Sequence, residues 1–198
     1  GIHGLADGRP SKERTVTRME KVLTISKDYL LVPVKKEAEK RLLTFWCGTE
    51  KIYEFEISCV DTEETYPEDF CAVLPVKKWK GQKIRIEGDV CESLLSAVRE
   101  KESAVRENSG YIHFVPETGW INDPNGLIYS EGKYHLYFQH NPVDVNWGNM
   151  SWGHAESTDL LHWVQKEDVM FPDENGTMFS GCAILNERGL LGLPKDTP

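Results

Sequence analysis

In the first half of the chain, apolar residues recur at every second position in short runs. Tyr53-Glu54-Phe55-Glu56-Ile57 alternates, and so does Lys83-Ile84-Arg85-Ile86-Glu87. A period of two puts one face of a strand in a core and the other in water. Asp28 to Val34 and Arg41 to Cys47 are denser apolar runs of strand length, and Cys47-Gly48-Thr49 and Lys80-Gly81-Gln82 supply turns. Several short strands divided by turns predict a small β-sandwich over residues 1–108. Glu92 to Asn108 departs from this pattern. Leu94, Leu95, Val98 and Val105 form a modest apolar stripe, which predicts a linker helix near 92–108. Ser-Ala-Val-Arg-Glu occurs there twice, at 96–100 and 103–107, too short a repeat for a coiled coil. Asn108-Ser109-Gly110 predicts the helix end and a domain boundary.

Alternation resumes at 126–139 and 151–167, predicting four antiparallel strands between about Tyr111 and Val169. Tyr134, Leu136 and Phe138 are expected on the packed face of one strand, with His135, Tyr137 and Gln139 on the other. Just upstream lies Trp120-Ile121-Asn122-Asp123-Pro124-Asn125-Gly126. Asn122 through Gly126 are all turn formers, so Asp123 is expected on a tight loop before a strand. A carboxylate held rigidly there can face a pocket, as a nucleophile must. Asn122 and Gln139 carry amides that can both donate and accept hydrogen bonds, and Trp120, Trp147 and Phe179 offer flat apolar faces. Taken alone, Asp-Pro-Asn-Gly is only a turn, so the surrounding stretch decides its meaning.

That stretch runs through Tyr137-Phe138-Gln139-His140-Asn141-Pro142, Asn146-Trp147-Gly148, Ser151-Trp152-Gly153-His154, Ser157-Thr158-Asp159-Leu160-Leu161-His162-Trp163 and Phe179-Ser180-Gly181-Cys182-Ala183. In this order and spacing, about residues 111–198 resemble glycoside hydrolase family 32, the invertases, levanases, inulinases and fructan β-fructosidases. The expectation is an all-β chain: the β-sandwich-like N-terminal domain at 1–108 that the strand pattern predicts, then, as the resemblance implies, the first blade or so of a five-bladed β-propeller at 109–198. It also implies retaining hydrolysis of terminal fructosyl linkages in sucrose, levan or inulin. By matching positions, Asp123 stands as the nucleophile, and Trp120, Asn122, Gln139, Trp147, Phe179 and Ser180 as the wall of a fructose pocket. Relatives carry two further catalytic carboxylates, in Arg-Asp-Pro and Glu-Cys motifs. Neither motif occurs in the 198 residues, where Cys91-Glu92 has the reverse order. The expectation is therefore the N-terminal part of a β-fructosidase, inactive alone and prone to self-association through an open propeller. The other reading is a non-catalytic carbohydrate-binding or interaction module that uses Asp123 as a hydrogen-bond acceptor. Phe70 to Pro75 followed by Trp79-Lys80-Gly81 resembles an N-terminal β domain that precedes the propeller in Bacteroides-type fructosidases. Tyr53, Tyr66 and Trp79 are its candidates for sugar contact, with packing or docking as the favoured alternative.

Other polar and aromatic positions read as structural. Trp152 and Trp163 are expected to fill the core. His135, His140, His154 and His162 show no compact zinc spacing, so neither a metal nor another cofactor is expected. Glu156 and Asp159 are candidates for a second acid, and Asp159 in Ser-Thr-Asp-Leu reads better as a turn residue. A net charge of -9 argues against nucleic acid and anionic membranes as partners and is compatible with a neutral fructose-containing saccharide. No apolar run is long enough to span a membrane. Five cysteines, an odd number without framework spacing, predict no disulfide scaffold, and Cys182 is expected as a small buried side chain. No secretory apolar segment lies near the start, so a periplasmic or extracellular location rests on the resemblance alone.

Overall fold

The computed structural model describes residues 18–103, 106–108, 112–189 and 192–193, with backbone only at 106–108. Strands β1 (Met19–Thr24), β2 (Tyr29–Val34), β3 (Glu39–Cys47), β4 (Glu50–Cys59), β5 (Phe70–Pro75) and β6 (Lys83–Gly88) precede helix α1 (Glu92–Ala97) and β7 (Arg99–Lys101). They form two antiparallel sheets, ordered β1-β6-β3-β4 and β5-β2-β7. One core lies between them. Leu30 and Val32 from β2 meet Phe45 and Phe55 from β3 and β4, and Leu94 of α1 joins the same cluster. The alternation seen in the sequence is realised directly: Tyr53, Phe55 and Ile57 are buried, as are Ile84 and Ile86.

The second half of the chain holds β8 (Arg106–Asn108), β9 (Trp120–Ser130), β10 (Lys133–Asn141), β11 (Ser151–Ser157) and β12 (Trp163–Gln165). They build one antiparallel sheet ordered β8-β12-β11-β10-β9. Within it, β9 to β12 form the expected up-and-down run of four, and Lys133–Gln139 is strand throughout.

The long linker helix is corrected. Only Glu92–Ala97 is helical, and the described residues after it, Arg99–Lys101 and Arg106–Asn108, are extended. The two copies of Ser-Ala-Val-Arg-Glu send Arg99-Glu100 into β7 beside β2, and Arg106-Glu107 into β8 beside β12. Each copy thus extends a different sheet. Val98 ends the helix with extended angles (φ -63, ψ 125), which suit a β-branched residue, and its side chain enters the core at 2% exposure.

The aromatic candidates on the N-terminal unit are buried rather than displayed: Tyr53, Tyr66 and Trp79 are 5%, 4% and 6% exposed. Tyr53 donates its hydroxyl to the Pro75 carbonyl at 2.6 Å. Its ring meets that of Phe171, from the segment after β12, at 4.8 Å. These aromatics therefore fill the sandwich core, and Tyr53 also packs it against the segment after β12. Among the described residues, no helix is long and apolar enough to cross a membrane.

Candidate functional site

The acid of the Trp-Ile-Asn-Asp-Pro-Asn-Gly stretch lies within a strand, not on the tight loop expected. Trp120–Ser130 is continuous as β9, the edge strand of its sheet, and Pro124 faces Phe138 across the ladder. An edge position tolerates proline, because its missing N–H faces away from the partner strand. The turn formers instead produce two bulges. Between Ile128 and Asn125, and again between Pro124 and Ile121, β9 holds one more residue than β10 opposite it. The second bulge sets Asn122 and Asp123 together across from Gln139. Bulges re-aim side chains in this way and cluster near sites of chemistry.

A crossing segment completes the cluster. Residues 178–183 run alongside the sheet and are pinned at three points. The Met178 amide donates to the Met150 carbonyl at 2.9 Å, the Trp152 indole donates to the Phe179 carbonyl at 3.0 Å, and the Gly126 amide donates to the Gly181 carbonyl at 3.3 Å. Two glycines allow this approach. Gly126 has φ +46, and a side chain there would meet Ala183 and Tyr137 at 3.1 Å. A side chain on Gly181 would meet the Trp152 ring at 3.1 Å. Ser180 is thereby delivered to the bulge. Its hydroxyl donates to Asp123 Oδ2 at 2.6 Å and accepts from Gln139 Nε2 at 3.4 Å. Gln139 is 2% exposed, and its Oε1 is a buried acceptor with no hydrogen-bond partner among the described residues. Such an atom costs about 1–3 kcal/mol unless a ligand or solvent group satisfies it.

The remaining candidates divide. Asn122 accepts the Trp120 indole N–H at 2.9 Å, which fixes its carbonyl and leaves its amide NH₂ to donate elsewhere. Trp147 and Phe179 stand 55% and 70% exposed. Asp123, Gln139 and Ser180 thus form one bonded chain, and Trp120 and Asn122 form a second pair on the same strand.

Other polar groups serve the scaffold. Asp159 accepts from the Leu161 and His162 amides and the His162 ring, so it caps its own turn. Those bonds, the His162 amide first, hold its carboxyl well below the usual range. Glu156 is paired with Lys133 at 2.8 Å and Lys166 at 3.3 Å, leaving it an ion-pair member rather than a proton donor. Trp152 is 8% exposed, and Trp163 packs edge-on to Phe114. Cys182, expected to be buried, is exposed. Its neighbour Ala183 turns toward Gly126, so Cys182 takes the opposite side of an extended segment.

Sequence spacing also missed two groupings that only the register creates. His135 and His154 approach at 3.1 Å on the face shared by Tyr137 and, with Glu156, each offer one atom within 4.8 Å of the others. Burial, with His135 alongside, depresses His154 to about 4. The two lysines already compensate Glu156, so the group reads as a packed polar face. The second grouping is His140 with Asp168. The ring Nδ1 lies 2.8 Å from Asp168, and Nε2 lies 2.9 Å from the Thr118 carbonyl. Acceptors at both nitrogens require a doubly protonated ring. Burial opposes that charge, but the Asp168 carboxylate and the Thr118 carbonyl outweigh it and raise the His140 pKa. The pair fixes the approach to β9, two residues before Trp120.

Residues 113–193 match the family described as "Glycosyl hydrolases family 32 N-terminal domain". The resemblance read from the sequence holds over that stretch, and the family is one of glycoside hydrolases. The chain is 48% identical over 80 residues to a levanase of Bacillus subtilis (strain 168), covering 40% of this chain and 12% of that protein. It is 47% identical over 107 residues to a raffinose invertase of Escherichia coli, covering 51% of this chain and 22% of that protein. Among solved structures, the exo-inulinase from Aspergillus awamori is 46% identical over 43% of this chain and 17% of its own, with a TM-score of 0.39. The chain therefore spans less than a quarter of the length of these curated relatives.

Proposed function

We propose that residues 113–193, a glycoside hydrolase family 32 segment, supply the nucleophile and one wall of the fructose pocket in a retaining β-fructosidase. The observation that carries this reading is the Asp123–Ser180–Gln139 chain beside a buried, unsatisfied Gln139 Oε1. Ser180 binds Oδ2 and so orients the carboxylate, leaving Oδ1 to attack the anomeric carbon of a fructosyl unit. Gln139 Oε1 accepts a sugar hydroxyl, and the Asn122 amide donates to another. Trp147 and Phe179 present exposed rings to the sugar's C–H face.

A retaining mechanism takes a second carboxyl about 5–5.5 Å from the first, to protonate the leaving alcohol and then activate water. Within the 198 residues Asp159 and Glu156 are engaged elsewhere, so that acid comes from the rest of a family 32 domain. The substrate class is a terminal β-fructoside, as in sucrose, levan or inulin, and the reaction needs no cofactor. The activities in the relatives' names, and the word "extracellular" in the names of the exo-inulinase relatives, support this substrate class and a location outside the cytoplasm. A second reading rests on the engagement of Glu156 and Asp159 in other contacts: the 198-residue polypeptide alone binds fructosides without turning them over.

The test compares two polypeptides. The 198-residue chain should release no fructose from sucrose or inulin above background. The segment joined to the blades that complete a family 32 domain should release it steadily, and Asp123→Asn should abolish that release. Hydrolysis by the short chain, or hydrolysis that survives Asp123→Asn, would refute the assignment.

A further inference from the structure

We propose that the N-terminal sandwich is a positioning unit for the substrate loop that carries Trp147, acting through Ser58, Lys40 and the β4 backbone. This rests on the reading of Trp147 as a wall of the fructose pocket. The loop between β10 and β11 is attached to the sandwich at three points that bracket the tryptophan. Val143, at the start, is 1% exposed and belongs to the sandwich core cluster. Asp144 is 0% exposed and accepts the Ser58 hydroxyl of β4 at 2.9 Å, with Lys40 Nζ of β3 at 3.4 Å. At the far end, Asn149 meets Glu56 twice. Its Oδ1 accepts the Glu56 amide and its Nδ2 donates to the Glu56 carbonyl, both at 2.9 Å.

The interior of the loop is organised from these anchors. Asp144 Oδ1 accepts the Val145 and Asn146 amides at 2.6 and 3.3 Å, which sets the turn leading into Trp147. Asn141, buried at the end of β10, donates to the Asn146 carbonyl at 2.8 Å and accepts from Asn149 at 3.2 Å. A buried carboxylate is favourable only when its partners satisfy it. Here the sandwich supplies two of those partners, so the loop takes this shape only when the sandwich is docked. Trp147 remains 55% exposed at the apex, where a substrate can reach it. Ser58, Lys40 and Glu56 do not touch the pocket cluster; they act through the loop.

The decisive variants are Ser58→Ala and Asn149→Gly. Both remove anchoring bonds, and glycine accommodates the φ of +43 at position 149. In the 198-residue chain, amide hydrogen exchange over 143–149 should accelerate at least about tenfold in each variant, while exchange in β3 and in β4 outside Glu56, whose amide Asn149 accepts, is unchanged. In the segment completed by the remaining blades, KM for sucrose should rise about 5- to 10-fold in Ser58→Ala, the equilibrium equivalent of one lost hydrogen bond, and further in Asn149→Gly, which loses three, with kcat within about twofold in both. Ser58→Thr, which keeps the hydroxyl, should restore most of the KM. A parent protein that hydrolyses no fructoside removes the pocket reading and this inference with it. A parent that is active, with variants matching it in KM, overturns the positioning role alone. Unchanged exchange over 143–149 overturns the anchoring on which it depends.

Discussion

Replacing Asp168 separates the charge of the His140 pair from its hydrogen bonds. The two side chains are 5% and 7% exposed, and the imidazole has an acceptor at each nitrogen. Asp168→Ala leaves His140 Nδ1 buried without a partner. Removing one member of a buried ion pair typically costs about 3–5 kcal/mol. At about 2–4 °C per kcal/mol for a chain of this size, the melting temperature should fall by about 6–20 °C. Asp168→Asn is different. A neutral His140 can then donate from Nε2 to Thr118 and accept at Nδ1 from the new amide, so both bonds survive and the loss should be under about 1.5 kcal/mol. The pH dependence comes from the direction of the shift. The folded His140 pKa is raised above 6.5. Its stabilisation is therefore fully present below pH 6.5 and lost as pH rises through the folded value, where a deprotonated Nε2 would face the Thr118 carbonyl. Thermal melts by circular dichroism from about pH 6 to 9 should show a decline in the parent chain that Asp168→Asn flattens. Equal melting temperatures for the alanine and asparagine variants, or an undiminished slope in the asparagine variant, would refute the charged-pair reasoning.

Gly126→Val forces a β-branched residue into φ +46 and against Ala183 and Tyr137; it should cost about 1–3 kcal/mol in denaturant unfolding and detach the 178–183 segment, seen as faster exchange at the amides of Met178 and of position 126 than in the parent. His154, depressed to about 4 by burial, should lower stability as pH falls from 6.5 toward 4, because the unfolded chain binds the proton first; His154→Gln should reduce that acid loss in melts. Timed alkylation with iodoacetamide, read by mass spectrometry, should modify exposed Cys182 first and Cys59 last, since Cys59 is buried and its thiol is pushed up to about 12 by that burial.

The part of the fold legible in the sequence is whatever a local period encodes. Tyr53 to Ile57 and Lys83 to Glu87 alternate, and their apolar members fill the sandwich core as expected. Gln139, His135 and Tyr137 share a face for the same reason, with His135 and Tyr137 both beside His154. Expectation and structure part where tertiary pairing outweighs local preference. Arg99–Lys101 and Arg106–Asn108 carry residues with good helix propensity, yet each finds an unfilled sheet edge and extends along it. The β1 strand, Met-Glu-Lys-Val-Leu-Thr, gives little apolar signal because Lys21 sits between Met19 and Leu23 on its inward face while Val22 faces outward at 52% exposure. The Asp-Pro-Asn-Gly turn formers do mark irregular backbone. That the irregularity takes the form of bulges within β9 depends on the partner strand β10, which no local window contains. Asp144 and Asp168 carry no signal at all in the sequence, since their roles come from Ser58 and His140, 86 and 28 residues away.

The central claim is that Asp123 is the nucleophile of a retaining fructosidase, and chemical trapping tests it most directly. The segment completed by the remaining family 32 blades would be mixed with sucrose, quenched in acid within the first turnovers and digested for mass spectrometry. The account predicts a single fructosyl ester on the peptide containing Trp120–Gly126, with fragmentation placing it on Asp123, and no adduct in Asp123→Asn. A fructosyl ester on any other carboxylate, or steady hydrolysis in which the released fructose first appears with inverted anomeric configuration, would contradict it.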